Sequence, residues 1–250
     1  MGKADLHIHS AAGDGLPEVR EILEYVENET DLDLIAITDH DLLEGSLEAR
    51  ERVAKGGYRF QLLVGMEITT LEGHLLAYDL EEPVRMLKPL TRTIELVHEQ
   101  GGFCIVPHPM SWLTLSLQRW SIERILRDPR EEIRLEGLEI LNPNLVGRVS
   151  YERVIALNEE RFHLPELGGS DAHFLSMIGQ AHTFFPGRTA EDFRQALESR
   201  TTRAEGEFLS WEEHRQLAAV AGQQMVKSLV ILPSRHIRRA LDSFLERRKG

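Results

Sequence analysis

The chain is poor in cysteine and has no long apolar run. These two absences argue against a disulfide-stabilised protein and against a membrane-spanning one. Cys104 is the only cysteine among 250 residues, so no intramolecular disulfide can form, which fits a reducing compartment. The N-terminus has no apolar segment of the kind that secretory signals contain, and the apolar stretch 229–232 is too short to span a bilayer. We therefore expect a cytoplasmic protein without a transmembrane segment, in which Cys104 is a small buried side chain.

The chain also lacks an excess of basic residues. The chain has 29 Lys and Arg against 41 Asp and Glu, for a net charge of −12. This balance argues against broad affinity for long nucleic acids or anionic membranes, because both depend on many basic contacts. A locally basic pocket could still bind a single phosphate group.

Short β-like runs alternate with helical patterns along most of the chain. The predicted strands are 4–9, 34–38, 60–67, 74–80, 103–107, 137–141 and 165–169. The predicted helices are 17–28, 47–55, 90–100, 122–127 and 151–160. Repeated strand–helix units predict an α/β fold with a largely parallel sheet, either open or closed into a barrel. We expect one catalytic domain over 1–206 and a helical extension over 207–250, with a break at Pro233.

Histidines and acidic residues gather where the predicted strands end. His7 and His9 alternate on the first strand and therefore project from one face. Because the ends of parallel strands converge, we expect these side chains to meet. The candidate metal ligands are His7, His9, Asp14, His40, Glu67, His74, His108, Asp171 and His173. Imidazole and carboxylate without thiolate suit Zn²⁺, Mn²⁺ or Fe²⁺, and this many ligands predict two or three ions bridged by a carboxylate.

Each of these motifs alone has an ordinary structural interpretation. A His-x-His pair on a strand is often incidental, and 171–173 could be a helix cap with a surface histidine. The joint pattern favours metal binding, because it places six of the chain's 11 histidines at the edges of different strands. The remaining histidines have no motif context and are expected to be hydrogen-bonded or solvated; they are His98, His163, His182, His214 and His236.

The ordered set of motifs resembles the polymerase and histidinol phosphatase (PHP) family over roughly residues 4–205. The matching segments are DLHIHS at 5–10, GDG at 13–15, ITDHD at 37–41, GME at 65–67, GH at 73–74, PHP at 107–109 and GSDAH at 169–173. The resemblance implies a distorted seven-stranded (β/α)7 barrel. Asp14 stands where several family members have a histidine.

The resemblance also implies the ligand sets and the activity. The first metal would take His7, His9, Glu67 and Asp171; the second would share Glu67 and add His74 and His108; the third would take Asp14, His40 and His173. Glu67, Asp171 and His173 would be catalytic. The implied reaction is hydrolysis of a small phosphorylated metabolite or nucleotide by a metal-activated hydroxide that bridges the ions, so no protein nucleophile is required.

Other residues near the same strand ends are candidates for supporting roles. Asn142 and Arg148, after the sixth predicted strand, could bind substrate, with the arginine holding phosphate through two hydrogen bonds. Asp39 or Asp41 could orient a ligand histidine, or each could simply cap the local backbone. Weaker candidates for a lid or specificity element follow His108; they are Ser111, Trp112 and Arg119.

Two other functions remain open at this stage. Similar proteins include 5′–3′ exonucleases that act on short oligonucleotides, and a non-catalytic metal-binding module is the alternative outside enzymes. The basic, amphipathic pattern near the C-terminus is expected to pack on its own domain, although a dimer contact or a lipid contact would also fit. The oligomeric state is not predicted.

Overall fold

The computed structural model describes residues 1–212, 215 and 222. Within them, short apolar runs form nine strands. These are β1 (Gly2–Ile8), β2 (Leu34–Ile37), β3 (Gln61–Thr69), β4 (His74–Tyr78), β5 (Phe103–Val106), β6 (Gly137–Leu141), β7 (Glu166–Gly168), β8 (Ala181–Phe185) and β9 (Arg203–Gly206). Both faces of the central strands are covered, since every residue of β2 and of β5 is buried.

Seven α-helices connect these strands in the described residues. They are α1 (Val19–Glu29), α2 (Glu44–Ala54), α3 (Leu90–His98), α4 (Arg119–Leu126), α5 (Leu145–Arg148), α6 (Tyr151–Leu157) and α7 (Ala190–Glu198). A π-helical turn (Asn158–Phe162) follows α6, and a 3₁₀ turn (Leu175–Met177) precedes β8. Helix α1 is typical of the set, because Val19, Ile22, Leu23 and Val26 recur at helical spacing and are buried.

All nine strands belong to one sheet in the order β7-β6-β5-β4-β3-β2-β1-β8-β9. The sheet curls until its two ends approach. The N–H of Gly168 in β7 donates to Thr183 Oγ1 in β8 at 3.1 Å, and the same hydroxyl donates to the Gly168 carbonyl at 3.0 Å. A Cβ at Gly168 would lie 2.5 Å from the His182 carbonyl oxygen, so glycine permits this approach. The result is a nearly closed, barrel-like α/β fold.

The strand count and direction differ from the seven-stranded, largely parallel prediction. Four pairings are parallel, whereas β3–β4, β4–β5, β1–β8 and β8–β9 are antiparallel. Strand β4 reverses because only residues 70–73 separate it from β3, and a parallel crossover needs a dozen residues or more. Strands β8 and β9 lack the continuous apolar character of β2 and β5, and the sequence did not predict them or α7.

Two further expectations concern Cys104 and the C-terminal part. Cys104 is fully buried in β5, and burial raises the pKa of its thiol well above the ordinary value. Among the described residues, no helix has both the length and the apolar character needed to cross a membrane. Apart from 207–212, 215 and 222, the predicted extension and its break at Pro233 lie outside the described residues.

Candidate metal centre

The structure brings all nine predicted ligands together at one end of the sheet. His7 lies in β1 and His9 follows it; Asp14 is in the next loop; His40 follows β2; Glu67 is in β3; His74 begins β4; His108 follows β5; Asp171 and His173 follow β7. Backbone pairing fixes this arrangement. The N–H of His9 donates to the Ala172 carbonyl at 2.8 Å, and His40 forms a parallel bridge with Glu67.

Glu67 lies at the middle of the cluster and is fully buried. Its Oε2 faces one group of imidazoles, at 3.2 Å from His7 Nε2, 3.4 Å from His9 Nε2 and 3.3 Å from His40 Nδ1. Its Oε1 faces another group, at 2.9 Å from His74 Nδ1 and 3.0 Å from His108 Nε2. A carboxylate whose two oxygens face separate sets of imidazoles has the placement needed to bridge two metal ions.

Two aspartates flank this arrangement. Asp171 Oδ1 lies 3.2 Å from His9 Nε2 and 3.6 Å from His7 Nε2. Asp14 Oδ2 lies 3.3 Å from His173 Nε2, and Asp14 Oδ1 lies 3.6 Å from His9 Nδ1. His9 therefore stands between the two carboxylates and contacts both.

Ligand atoms within 4.8 Å of one another define four overlapping groups in this cluster. They are His7, His9 and Glu67; His7, His108 and Asp171; His40, Glu67 and His74; and His9, Asp14, His40 and His173. The last group contains the three residues that the resemblance assigns to a third metal, with His9 added. His40 belongs to two groups, which places it between the second and third predicted sites.

Several buried imidazole nitrogens in the cluster have no hydrogen bond, which bears on whether a metal ion fits there. Both ring nitrogens of His9 and Nδ1 of His74 are buried without a hydrogen bond, although carboxylate oxygens are close. Buried polar atoms are almost always paired, because desolvating them without a partner is costly. Imidazole nitrogens close to carboxylate oxygens suit a divalent cation, so the donor set fits a divalent metal ion.

The charges in the cluster perturb its histidines in opposite directions. Burial lowers the pKa of His40 to about 4, with His74 and His9 adding to the effect against the opposing charges of Glu67 and Asp14. Burial is the largest single influence on His173 and would lower its pKa, but the charges and hydrogen bonds of Asp14 and Asp171 together outweigh burial and raise the pKa to about 9. In the metal-free protein, His173 therefore carries a proton at neutral pH and His40 does not.

The carboxylates are held in the charged form by the same contacts. Burial alone would raise the pKa of Glu67, yet His40, His74 and His7 hold it well below the ordinary value. Asp14 and Asp171 behave in the same way: burial opposes ionisation, and the neighbouring histidines lower both pKa values well below the usual range. Ionised carboxylates are the form that binds metal.

Glu139 is a component of the site that the sequence analysis missed. It lies on β6, is 3% exposed, and its Oε2 accepts a hydrogen bond from His7 Nδ1 at 2.8 Å. Its Oε1 accepts from the His108 backbone N–H and from Asn142 Nδ2, both at 3.0 Å. A glutamate within the otherwise apolar run GLEIL was the signal that could have revealed it.

Ser116 is a second supporting residue that was missed. It is 5% exposed and its Oγ lies 2.9 Å from His108 Nδ1. A metal ion at Nε2 of His108 would leave Nδ1–H to donate to this hydroxyl, which would fix both the tautomer and the ring plane. No sequence pattern marks such a residue, because a serine in a loop has many possible partners.

Asp39 and Asp41 hold backbone rather than imidazole rings. Asp39 accepts hydrogen bonds from the N–H and from Oγ of Ser10, both at 2.6 Å, and burial raises its pKa to about 7. Asp41 accepts from the Thr69 N–H at 2.7 Å. These contacts match the capping interpretation of the two aspartates.

The two predicted substrate residues occupy different environments. Asn142 is 1% exposed, and its Nδ2 donates to Glu139 and, at 3.3 Å, to Asp171 Oδ2. Arg148 is exposed at the end of α5, with its guanidinium 5.5 Å from the centre of the Phe208 ring. Asn142 thus contacts the cluster directly.

The histidines without a motif lie outside the cluster wherever the structure describes them. His98 bonds the Glu132 carbonyl at 2.6 Å and pairs with Glu136 at 3.2 Å. His182 donates to the Gly179 carbonyl at 3.0 Å, and His163 is exposed at the end of the π-helical turn. His214 and His236 lie outside the described residues.

Comparison with known proteins places this geometry in a family. The model of a PHP-associated domain matches residues 158–202. The chain is 32% identical over 168 residues to the uncharacterized protein MJ1587 of Methanocaldococcus jannaschii, which covers 61% of this chain and 91% of that protein. It is also 39% identical over 71 residues to the 5′-3′ exoribonuclease Rnm of Salmonella typhimurium, which covers 28% of this chain and 24% of the exoribonuclease.

A solved structure supports the fold. It is a two-domain protein from Bacteroides vulgatus that contains a predicted PHP-like metal-dependent phosphoesterase. The TM-score is 0.61 at 23% identity, and the match covers 82% of this chain and 64% of that one. At 23% identity, this match is evidence for the fold alone. The evidence for family membership is the order of the motifs, the family model and the relative from Methanocaldococcus jannaschii. The chain belongs to the PHP family.

Proposed function

We propose that the protein is a metal-dependent phosphoesterase that hydrolyses a small phosphorylated metabolite or nucleotide. The observation that carries this proposal is the position of Glu67, whose two carboxylate oxygens lie 2.9–3.4 Å from five imidazoles. Asp14 and Asp171 flank the same space, and all three carboxylates are held in the charged form. A thiolate-free site of this composition suits divalent ions that activate water.

We assign the metal positions as the resemblance implies. One ion would be held by His7, His9, Glu67 and Asp171; one by Glu67, His74 and His108; and a third by Asp14, His40 and His173. Two or three divalent Mn, Fe or Zn ions there would lower the pKa of water and neutralise the charge on phosphate oxygens.

The protein's own contribution is to hold these side chains in place. Glu139 orients His7, and Ser116 orients His108. Asn142 donates to Asp171, so its proposed role shifts from binding substrate to positioning that carboxylate. We propose Glu67, Asp171 and His173 as the catalytic residues, because each borders the space enclosed by the imidazoles.

Arg148 remains a proposed phosphate contact. Its exposed side chain lies at the end of α5, in the segment after β6; Glu139 is on β6 and Asn142 directly follows that strand. Replacement by alanine tests this role, since loss of a contact with two hydrogen bonds to phosphate raises KM. An unchanged KM would remove Arg148 from the site.

The decisive experiment is a turnover screen of the full chain loaded with Mn²⁺. Phosphorylated metabolites and short oligonucleotides are the substrates, and phosphate or nucleotide release is measured. Activity should disappear in His9→Ala and in Asp171→Ala, with unchanged circular dichroism, and should persist in His163→Ala, an exposed histidine outside the cluster. Full turnover by either cluster variant, or no turnover by a wild-type protein with bound ions, would contradict the proposal.

A 5′–3′ exonuclease acting on short oligonucleotides is the second candidate. The 71-residue match to the exoribonuclease favours it, whereas the net charge of −12 opposes binding of long polymers. A short 5′-labelled RNA separates the two functions, because an exonuclease releases labelled mononucleotide first. A non-catalytic module would bind ions and show neither activity.

A further inference from the structure

The loop that follows His108 presents an unusual group of exposed apolar side chains. We call residues 109–118 the Trp112 loop; it contains no charged residue. Trp112 is 75% exposed and Leu115 is 61% exposed, whereas Ser111 and Ser116 on either side are almost fully buried. Apolar side chains exposed together beside a polar site commonly mark a binding surface.

This loop is joined to the metal centre by direct hydrogen bonds. Ser116 Oγ bonds the ring of His108 at 2.9 Å, and the Leu115 carbonyl accepts from the His74 N–H at 2.8 Å. The backbones also touch, since a Cβ at Gly73 would lie 2.5 Å from the Leu117 nitrogen. The exposed side chains therefore belong to a loop that is bonded directly to two proposed ligands.

Hydrogen bonds within the loop join its two ends and brace its backbone. The Met110 N–H donates to the Leu117 carbonyl at 3.0 Å and closes the loop at its base. Gln118 Nε2 donates to the carbonyls of Ser111 at 3.3 Å and Ser116 at 3.1 Å. An aromatic side chain on a preorganised loop loses little conformational entropy when a ligand stacks on it.

We propose that the Trp112 loop is a stacking platform for a nucleobase, and that the substrate at the metal centre is a nucleotide or a short oligonucleotide. This inference rests on the proposed function, since it takes the phosphate to lie at the cluster. A planar base suits an exposed indole, and stacking tolerates any base. The uncharged loop does not repel a phosphodiester, and it has no basic residue to attract an anionic lipid.

The test compares two non-hydrolysable ligands that differ only in the base. Binding of the 5′-phosphonate analogues of adenosine monophosphate and of ribose 5-phosphate to the metal-loaded full chain is measured by calorimetry. We expect the adenosine analogue to bind about tenfold more tightly or better. Trp112→Ala should remove this difference without changing affinity for the ribose analogue, and Trp112→Phe should retain most of it.

Trp211→Ala is the matched control, because Trp211 is 70% exposed and lies outside the loop. It should leave both affinities unchanged. Equal affinities in the wild type, or a difference that survives in Trp112→Ala, would overturn the inference. So would an equal loss for both ligands, which would mean that the loop merely supports His108.

Two further measurements separate the remaining outcomes. Sedimentation velocity tests whether the loop joins two copies of the chain, and a dimer that dissociates in Trp112→Ala would overturn the base platform. If the protein hydrolyses a phosphoester but binds both analogues equally, the proposed hydrolase activity stands and the proposed base platform is refuted. A Trp112-dependent difference without any turnover would support the platform and contradict the hydrolase.

Discussion

Glu139 Oε2 lies 2.8 Å from His7 Nδ1, although 132 positions separate the two residues in the chain. Both side chains are almost completely buried. With Nδ1 bonded to Glu139, Nε2 is the ring nitrogen that faces Glu67 and Asp171. The carboxylate that orients this proposed ligand comes from a strand on the other side of the barrel-like sheet.

Replacing Glu139 should weaken metal binding without removing a ligand. We expect Glu139→Ala to lower metal affinity about 10- to 100-fold, because His7 loses the group that orients it. Glu139→Gln should have a smaller effect, since its amide oxygen still accepts from Nδ1. Competition with a chromogenic chelator measures both, and Glu205→Gln, an exposed strand glutamate, is the control. Wild-type affinity in Glu139→Ala would show that the hydrogen bond has no role in metal binding.

Asp14 should control occupancy of the proposed third metal site. It contacts His173 and His9 but is not among the residues close to Glu67. Asp14→Ala should therefore lose about one equivalent of metal while the ions around Glu67 remain, because only the third group loses a carboxylate. Elemental analysis of dialysed protein measures the stoichiometry. Asp14→His should restore binding, whereas Asp31→Ala at the surface should change nothing; an unaltered metal content in Asp14→Ala would refute the assignment.

Replacing Ser116 should perturb the proposed second metal site without removing a ligand. We expect Ser116→Ala to lower metal affinity about tenfold, since the ring of His108 loses its partner at Nδ1. Ser116→Thr keeps the hydroxyl and should bind metal more tightly than the alanine variant. Titration calorimetry measures the affinities, and Ser199→Ala on the far end of α7 serves as the reference. If the alanine and threonine variants behave alike, the hydroxyl is not the cause.

The raised pKa of His173 makes the stability of the metal-free protein depend on pH. The pKa is about 9 in the fold against an ordinary 6.5, because Asp14 favours the protonated form despite burial. The stabilisation is complete below pH 6.5 and is lost as pH rises through 9. The melting temperature of the chelator-treated protein should therefore fall over this range.

Metal binding should release the proton that stabilises the metal-free protein. A metal ion needs neutral imidazole, so binding near neutral pH releases the proton that His173 carries in the metal-free protein. Calorimetry in two buffers of different ionisation enthalpy measures the released protons, and His173→Ala should release fewer. Equal heats in both buffers would mean that the cluster is unprotonated before metal binds.

Asp5 should matter for folding more than for metal binding. Its buried carboxylate accepts from the N–H groups of Ser170 at 3.1 Å and Gly179 at 2.8 Å, which anchors the segment that carries Asp171 and His173. Asp5→Asn turns an amide donor toward one of these donors and should cost about 1–3 kcal/mol of unfolding free energy. Urea denaturation of the metal-free chain measures this cost. Asp31→Asn, an exposed aspartate, should cost far less, and an equal cost would disprove the anchoring role.

The nine ligand candidates could be found in the sequence because they combine unusual chemistry with a regular position. Histidine and acidic residues at the ends of apolar runs, as at His40 and His108, have no ordinary reason to recur after successive strands. Their supporting residues could not be found in this way. Glu139 looks like one polar position in a strand, and its partner is known only when β6 and β1 are brought together.

The strand pattern was predictable for the same local reasons, and its pairing was not. Apolar runs such as 34–37 predicted the buried strands, and the short connection 70–73 explains why β4 runs antiparallel. Strand β8 pairs with β1, and a hydrogen bond from the Gly168 N–H to the Thr183 hydroxyl joins β7 to β8. Those contacts join residues far apart in the chain, so no local pattern contains them.

The sequence by itself determined the chemistry available to this protein: imidazole and carboxylate at strand ends, no thiolate among them, and a net negative charge. Only the tertiary structure decided how these groups face one another. Because Glu67 is buried, its negative charge must be balanced by the imidazoles around it. The curl of the sheet determines which imidazole lies next to which carboxylate oxygen. The sequence specifies which ligand atoms are present. The distance between two such atoms depends on how the strands and helices that carry them pack together.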